Sequence, residues 1–201
     1  MDISDKTFYT CIDNLIPEEQ QIFLQKYLIE NKRFNWHLHL SSIIEDDQKE
    51  YNHLNINENL QFVHSFVKYD KHEETSEISS SFYNSIEPVI KAFGEKYNYK
   101  KLKVIRAKAN LQTQSSNVIK DSHCGPHIDL FFPHYVLLYY VNDSDGDTFL
   151  FDKNNNIMDR ITPKRGRAIF FNGDIVHASS LPVKSKYRAV INVDMEILNN
   201  D

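Results

Sequence analysis

Cysteine is scarce in this sequence, and the two cysteines present do not predict a disulfide framework. Cys11 and Cys124 are the only ones among 201 residues, and they form no CxxC pair. Small secreted folds that depend on disulfides use many paired cysteines, so a reducing compartment suits this chain better. Its first residues, MDISDKTFYTC, are acidic and polar rather than basic and then apolar. They predict no signal peptide, and we expect a cytoplasmic protein.

An excess of basic charge and long apolar runs are also missing. The chain carries 23 Lys and Arg residues against 28 Asp and Glu residues, a net charge of -5. Because no basic field attracts a phosphate backbone, the charge argues against nucleic acid as a partner. No apolar run approaches the roughly 18 residues that a membrane helix needs, so no membrane partner is expected either. The length suits a single domain with a sizeable core.

The first hundred residues carry helix patterns and are expected to form a helical support region. Apolar residues recur at helical spacing from Pro17 to Glu30, and proline suits a first helical position. A second apolar stripe predicts a helix from Ser81 to Tyr97, with Pro88 as a possible kink. Between these helices, RFNWHLHL and LQFVHSFV alternate like strands, while IEDDQKEYNHLNINEN and KYDKHEETSE have the composition of polar connections.

From residue 101 onward the pattern changes to short strands separated by turn residues. The strand-like segments are KLKVIRAKANL, HYVLLYYV, DTFLFD, NIMDRI, RAIFF, IVHAS and YRAVINVDMEI. Asn172 and Gly173 form an Asn-Gly pair between two apolar runs, which is a strong hairpin signal. Regular short strands of this kind predict antiparallel sheets. We therefore expect one mainly β domain, 1–201, whose core at 101–198 is a double-stranded β-helix, or jelly roll, buttressed by helices of 1–100.

The segment CGPHIDLFFPH contains a histidine and an aspartate two residues apart, His127 and Asp129. In a strand, residues i and i+2 face the same side, so both side chains can reach one ion. His177, in IVHAS, offers a second imidazole. Two histidines and one carboxylate on one face of a metal leave its other positions open, an arrangement typical of non-haem Fe(II) oxygenases. The histidine-aspartate pair alone would be a weak signal, because such pairs arise by chance.

The last strand-like segment adds a second signal. In YRAVINVDM an apolar set of residues alternates with a set that contains the polar ones: Ala189, Ile191, Val193 and Met195 against Arg188, Val190, Asn192 and Asp194. If the second set faces the interior, Arg188 is a buried cation that needs a carboxylate, and no partner is obvious in the sequence. A dicarboxylate ligand would supply one through bidentate hydrogen bonds with the guanidinium group.

These motifs, taken in order along residues 103 to 197 together with DGDTFLFD and PKRGRAIFFNGDIVHAS, resemble the Fe(II)- and 2-oxoglutarate-dependent oxygenases. Within that superfamily, YVLLYYVND and the short chain look most like the prolyl hydroxylase branch and its small phage-encoded members. The resemblance implies that His127, Asp129 and His177 ligate Fe(II) and that Arg188 pairs with the remote carboxylate of 2-oxoglutarate. For a phage-encoded member, the expected compartment would be the host-cell cytoplasm.

The resemblance also implies further contacts to 2-oxoglutarate. The family's tyrosine matches Tyr140, with Tyr139 as the alternative, because a register shift of one residue exchanges the two faces of a strand. Asn192 and Asn110 occupy positions where the family often places another polar contact. The implied reaction uses 2-oxoglutarate and O2 at the iron, releases succinate and CO2, and hydroxylates a C–H bond, with ascorbate as a possible supporting reductant.

Three functions remain open from the sequence. The first is hydroxylation of an amino-acid side chain, most plausibly a prolyl-type residue of a peptide or protein. The second is hydroxylation of a free small molecule, and the third is a non-catalytic jelly-roll module that keeps a metal only for structure. A peptide substrate predicts an open groove beside the metal, bordered by the segments around 41–59 and 115–124, whereas a small-molecule enzyme should close over its pocket.

Overall fold

The computed structural model describes residues 7–40, 60–116 and 122–198. Within them, two α-helices and eleven strands follow one another along the chain. In order they are β1 (Tyr9–Ile12), α1 (Glu18–Ile29), β2 (His37–His39), β3 (Gln61–Asp70), β4 (Thr75–Ile78), α2 (Glu87–Tyr97), β5 (Leu102–Thr113), β6 (Tyr135–Tyr140), β7 (Thr148–Phe151), β8 (Ile157–Ile161), β9 (Ala168–Asn172), β10 (His177–Ser179) and β11 (Tyr187–Ile197). Neither described helix is long and apolar enough to cross a membrane.

The strands form two facing sheets. The large sheet has the order β1-β9-β6-β11-β5-β3-β2, with β4 paired to β3, and the small sheet has the order β10-β7-β8. Every pairing between these strands is antiparallel. An isolated antiparallel bridge joins His127 to His177 at the free edge of β10. The predicted double-stranded β-helix of antiparallel strands is confirmed.

The large sheet has a core on each face. On one face it packs against both helices, through residues such as Leu28 of α1 and Phe93 of α2. On the other face it packs against the small sheet, where Leu138 and Val190 meet Leu150. The alternation predicted for β11 holds, because its apolar set, Ala189, Ile191, Val193 and Met195, lies in the helix-side core. The set that contains Arg188 therefore faces the small sheet.

The helix boundaries differ from the prediction in how each proline is used. Helix α1 begins at Glu18, and Pro17 precedes it in an extended conformation with ψ of 148°. The second predicted helix does not run from Ser81: a 3₁₀ turn at Tyr83–Ser85 comes first, and α2 begins at Glu87. Pro88 lies in the first turn of α2, so it starts the helix instead of kinking it. Proline is tolerated there because the first turn needs no donor from its nitrogen.

The hairpin predicted at Asn172 and Gly173 is wrong. Strand β9 ends at Asn172 and β10 begins at His177, but the two strands belong to different sheets. Both edges of β9 are already paired, one with β1 and the other with β6, so β10 cannot add to it. The turn instead carries the chain from the large sheet to the small one, which brings His177 to the inner side of the sandwich.

The first hundred residues contribute strands to the large sheet as well as both helices. LQFVHSFV forms most of β3 as predicted, but RFNWHLHL supplies only the exposed three-residue strand β2, where Leu38 is 52% exposed. KYDKHEETSE was expected to be a connection, yet part of it forms β4 in a hairpin with β3. The Asp70 carboxylate accepts hydrogen bonds from the backbone N–H groups of His72 and Glu73, which closes this turn. The connection IEDDQKEYNHLNINEN lies outside the described residues.

Asp145 ties the loop after β6 to the loop before β11, and its removal should destabilise the fold at neutral pH. Its carboxylate accepts hydrogen bonds from the backbone N–H groups of Val183, Lys184 and Ser185. Partial burial opposes ionisation, but these donors outweigh it and lower the pKa of Asp145 to about 2. We expect Asp145→Ala to lower the free energy of unfolding at pH 7 by about 1 kcal/mol, a modest value because water competes for the carboxylate.

The effect of Asp145→Ala should depend on pH in a defined direction. A carboxylate with a depressed pKa in the folded state stabilises that state fully above its unfolded pKa of about 4 and loses this contribution as the pH falls toward 2. Thermal unfolding of both proteins between pH 7 and pH 2.5 or so would therefore show the gap in Tm narrowing below about pH 4. A gap that stays constant over this range would contradict the assigned role of the charge.

Candidate metal centre

The three predicted ligands come together between the two sheets. His127 and His177 exchange backbone hydrogen bonds, N–H to C=O, of 3.0 and 2.9 Å. Their ring centroids lie 4.7 Å apart. Asp129 brings a carboxylate oxygen within 3.3 Å of Nε2 of His177. One ligand atom from each of the three residues lies within 4.8 Å of the others, a spacing that a single metal ion can bridge.

Both imidazoles are held through the same nitrogen, Nδ1. Nδ1 of His127 lies 3.1 Å from the carbonyl oxygen of Gly125, and Nδ1 of His177 lies 3.2 Å from that of Ile175. A carbonyl oxygen can only accept, so Nδ1 of each ring carries the hydrogen. This leaves the lone pair of each Nε2 available, as is usual for histidine ligands oriented by an outer contact.

The charge states also suit a metal. Burial, and then the neighbouring His177, lower the pKa of His127 to about 4, so its imidazole is neutral at neutral pH. Burial opposes ionisation of Asp129, but Arg106 and Lys108 hold the pKa of its carboxyl well below the usual range. Neutral imidazole and ionised carboxylate are the forms that bind divalent cations. The donor set thus fits Fe(II) or a similar ion.

Asp129 is enclosed by partners on both oxygens. Its Oδ2 accepts a hydrogen bond of 2.9 Å from Nδ2 of Asn192. Its Oδ1 accepts one from Nη2 of Arg106 and lies 3.6 Å from Nζ of Lys108. The sequence prediction did not include these two cations. A signal existed, because in β5 the residues Arg106, Lys108, Asn110 and Gln112 alternate with apolar ones and so share one face of the strand.

Arg188 is a buried cation whose contacts are to neutral groups. It is 3% exposed. Its Nε donates to the carbonyl oxygen of Gly146 and its Nη2 to Oγ1 of Thr148, each at 2.8 Å, and its Nη1 lies 3.5 Å from Oε1 of Gln112. Within the described ranges, no carboxylate comes within ion-pair distance of it. Burial lowers the pKa of Arg188, a cost that a bound anion would offset.

One pocket contains both candidate histidine ligands and Arg188. Described residues from β3, β5, β6, β7, β10, β11 and the segment before β6 line it: Gln61, Lys108, Asn110, Gln112, Cys124, His127, Leu138, Thr148, His177, Ala178, Ser179, Arg188, Val190 and Asn192. The amide oxygens of Asn110 and Asn192 are buried and have no hydrogen-bond partner in the described part of the chain. Both predicted asparagines therefore line the pocket that contains His127, His177 and Arg188, and each has a buried amide oxygen without a partner among the described residues.

The two adjacent tyrosines lie on opposite faces of β6. Tyr140 faces the small sheet, its hydroxyl donates to Oγ1 of Thr148 at 2.8 Å, and Cζ of Arg188 lies 5.8 Å from its ring centroid. Tyr139 lies in the helix-side core instead. Tyr140 is thus the tyrosine on the pocket side of β6, although Thr148 lines the pocket and Tyr140 itself does not.

The groove predicted for a peptide substrate concerns segments that are largely outside the described residues. Of 41–59 and 115–124, the structure describes only 115, 116 and 122–124. The groove stays a prediction. Among the described residues, Gln61 of β3 and Lys108 of β5 line the pocket.

Comparisons with known proteins identify the fold. No protein-family model matches the sequence, and no curated protein sequence matches it. Solved structures do: an oxidoreductase of the 2OG-Fe(II) oxygenase family from Burkholderia pseudomallei has a TM-score of 0.67 at 11% identity, covering 96% of this chain and 86% of the other. A viral collagen prolyl hydroxylase from Paramecium bursaria Chlorella virus-1, in complex with 2OG, has a TM-score of 0.57 at 15% identity, covering 98% and 100%.

A third similar structure holds a peptide. The prolyl hydroxylase of Trichoplax adhaerens, in complex with a fragment of the oxygen degradation domain of hypoxia-inducible factor, has a TM-score of 0.59 at 12% identity, covering 96% of this chain and 84% of the other. At these identities the similarity establishes architecture. The chain has the fold of 2-oxoglutarate- and Fe(II)-dependent oxygenases, prolyl hydroxylases among them, as the sequence predicted.

Proposed function

We propose that this protein is an Fe(II)- and 2-oxoglutarate-dependent dioxygenase. The observation that carries the proposal is Arg188, a buried cation with no carboxylate partner in the described ranges. It lines one pocket with His127 and His177, and Asp129 lies beside that pocket, 3.3 Å from His177. A metal kept only for structure would not need a carboxylate-binding arginine. The non-catalytic module is therefore the weaker interpretation.

The side chains have distinct roles in this proposal. Nε2 of His127, Nε2 of His177 and a carboxylate oxygen of Asp129 would hold Fe(II), and three protein ligands leave positions open for cosubstrate and oxygen. When bound, the iron with 2-oxoglutarate supplies the oxygen activation that yields succinate, CO2 and a hydroxylated product.

The remaining residues would bind and orient the cosubstrate. The guanidinium of Arg188 would pair with its remote carboxylate, supported by Thr148, whose hydroxyl accepts from Arg188 and from Tyr140. Asn110 and Asn192 would offer amide groups along the chain of the ligand. A buried pocket of this kind also keeps water away from the reacting groups.

The substrate we propose is an amino-acid side chain in a peptide or protein, of the prolyl type. Two of the similar structures named above are prolyl hydroxylases, and one of these holds a peptide fragment. In this chain, the large sheet continues past β11 through β5, β3 and β2, whereas the small sheet has three strands among the described residues. The polar face of β5 and β3 beside the metal centre would thus be available to a polypeptide. A free small molecule is the alternative.

A turnover assay separates these substrates. Purified protein with Fe(II), 2-oxoglutarate, O2 and ascorbate would be given proline-containing peptides, the same peptides with alanine in place of proline, and free amino acids, with succinate and oxygenated product measured. We expect release of succinate that proline peptides stimulate and alanine peptides do not. Stimulation by free amino acids alone would overturn the peptide substrate. Absence of any 2-oxoglutarate turnover in metal-loaded protein would overturn the enzymatic function itself.

A further inference from the structure

Arg106 joins the metal-ligand candidate Asp129 to a second buried carboxylate, Asp194. On the two paired strands Arg106 of β5 lies directly opposite Asp194 of β11. Its Nε donates to Oδ2 of Asp194 at 2.6 Å, and its Nη2 donates to Oδ1 of Asp129 at 2.5 Å. Both carboxylate side chains are only 1% exposed. One guanidinium group therefore bridges two acids that are almost fully withdrawn from water.

The bridge decides which oxygen of Asp129 can reach a metal. Oδ1 is taken by Arg106, whereas Oδ2, which also accepts a hydrogen bond from Asn192, is the oxygen that lies near Nε2 of His177. A carboxylate fixed in this way can offer a metal one oxygen. Without the contact to Arg106, the group could turn and offer both, which would occupy a position that cosubstrate or oxygen requires.

Lys108 cannot replace Arg106 in this role. Its Nζ lies 3.6 Å from Oδ1 of Asp129, beyond hydrogen-bond distance. An ammonium group is a single point charge, whereas the planar guanidinium donates in two fixed directions at once. Arg106 uses these two directions to donate to Asp194 through Nε and to Asp129 through Nη2.

We infer that Arg106 is a positioning residue, which holds Asp129 as a single-oxygen ligand and is itself held in place by Asp194. This inference rests on the proposed iron site and goes beyond it, because it assigns Arg106 and Asp194 a task in setting the coordination of the metal. Neither residue would touch the substrate. Contacts that orient a metal ligand in this way commonly change metal affinity by about 10- to 100-fold.

The test measures metal binding and coordination instead of turnover. Wild type, Arg106→Lys, Arg106→Gln and Asp194→Asn would be titrated with Mn(II) as a stand-in for Fe(II), and their Co(II) absorption spectra recorded. We expect both Arg106 variants to bind Mn(II) about 10- to 100-fold more weakly and to show an altered Co(II) spectrum. Asp194→Asn should weaken binding less. The double variant Arg106→Lys with Asp194→Asn should bind Mn(II) no more weakly than Arg106→Lys alone. Asp194 acts on Asp129 only through Arg106, so its replacement has no further effect once Arg106 is changed.

A matched control separates positioning from general stability. Arg160 also pairs with an aspartate, Asp147, in a partly buried ion pair of the small sheet. Arg160→Lys should leave Mn(II) affinity and the Co(II) spectrum as in wild type. If folded Arg106→Lys and Asp194→Asn proteins bind Mn(II) within twofold or so of wild type with unchanged Co(II) spectra, the inference is wrong while the iron site stands. If wild type itself binds no metal at this centre, the proposed function fails with it.

Discussion

Replacing His177 with alanine is expected to weaken metal binding severely at neutral pH while leaving the fold intact. Nε2 of His177 lies 3.3 Å from Oδ2 of Asp129, and the ring is held by the carbonyl oxygen of Ile175. Loss of an outer contact commonly weakens a metal site by about 10- to 100-fold, so loss of a direct ligand should weaken Mn(II) binding by more than about 100-fold. Calorimetric titration with Mn(II) measures the effect, and succinate formation should be lost in parallel.

His64 provides the control for this substitution. Like His177 it is 4% exposed, but its ring nitrogens contact the carbonyl oxygen of Asn35 and the hydroxyl of Ser80, away from the metal centre. His64→Ala should lower thermal stability yet bind Mn(II) as wild type does. Equal Mn(II) affinity in wild type and His177→Ala would show that the three residues do not form the site.

Arg188→Met should weaken 2-oxoglutarate binding severely without weakening metal binding. Methionine fills much of the same buried volume but removes the cation that we assign to the remote carboxylate. Truncating one partner of a buried, hydrogen-bonded charge pair costs about 2–5 kcal/mol, which corresponds to a roughly 30-fold or greater rise in Kd. Titration of the Mn(II)-loaded protein with 2-oxoglutarate measures this Kd directly.

Arg188→Lys separates the effect of the positive charge from the effect of the planar guanidinium group. Lysine keeps the charge but loses the planar fork, so its Kd for 2-oxoglutarate should fall between those of wild type and Arg188→Met. A saturating ligand that binds only the folded protein raises its Tm, and we expect this increase for wild type but little of it for Arg188→Met. An unchanged Kd in Arg188→Met would assign Arg188 to structure alone.

The candidate ligands could be predicted from their residue types and their order along the chain. His127 and Asp129 were expected to share one side of a strand, but they lie outside the strands: His127 makes an isolated bridge to His177, and Asp129 follows it in a bend. His177 and Arg188 followed from their order along the chain and from the family that this order resembles. The pocket in the structure contains His127, His177 and Arg188, and Asp129 lies beside it in contact with His177.

The supporting contacts could not be predicted, because they depend on register between distant strands. Arg106 and Asp194 are 88 residues apart and meet only through the pairing of β5 with β11. The register runs without a shift from Arg188 opposite Gln112 to Asp194 opposite Arg106 and changes by one residue only after Asp194, and no local pattern in either strand fixes it. The sequence could not decide between Tyr139 and Tyr140 for the same reason, because a shift of one residue in register exchanges the two faces of β6.

The prediction of a hairpin at Asn172 and Gly173 was wrong for a related reason. An Asn-Gly pair reports a tight turn, but it does not report whether the next strand has a free edge to pair with. In this fold β1, which includes Cys11, occupies one edge of β9, and β6 occupies the other. The pairing of β1 with this edge of β9 could not be predicted from the sequence, because Tyr9–Ile12 is a four-residue strand without a strong alternation of apolar and polar residues.

The most direct test of the account is an anaerobic titration of the purified apoprotein with Fe(II) and then with 2-oxoglutarate, followed by visible absorption. Bidentate binding of 2-oxoglutarate to iron gives a metal-to-ligand charge-transfer band. We predict this band in wild type, its loss in His177→Ala, and its appearance only at much higher 2-oxoglutarate concentration in Arg188→Met. Folded wild type that binds Fe(II) and shows no such band at any 2-oxoglutarate concentration would contradict the proposed function.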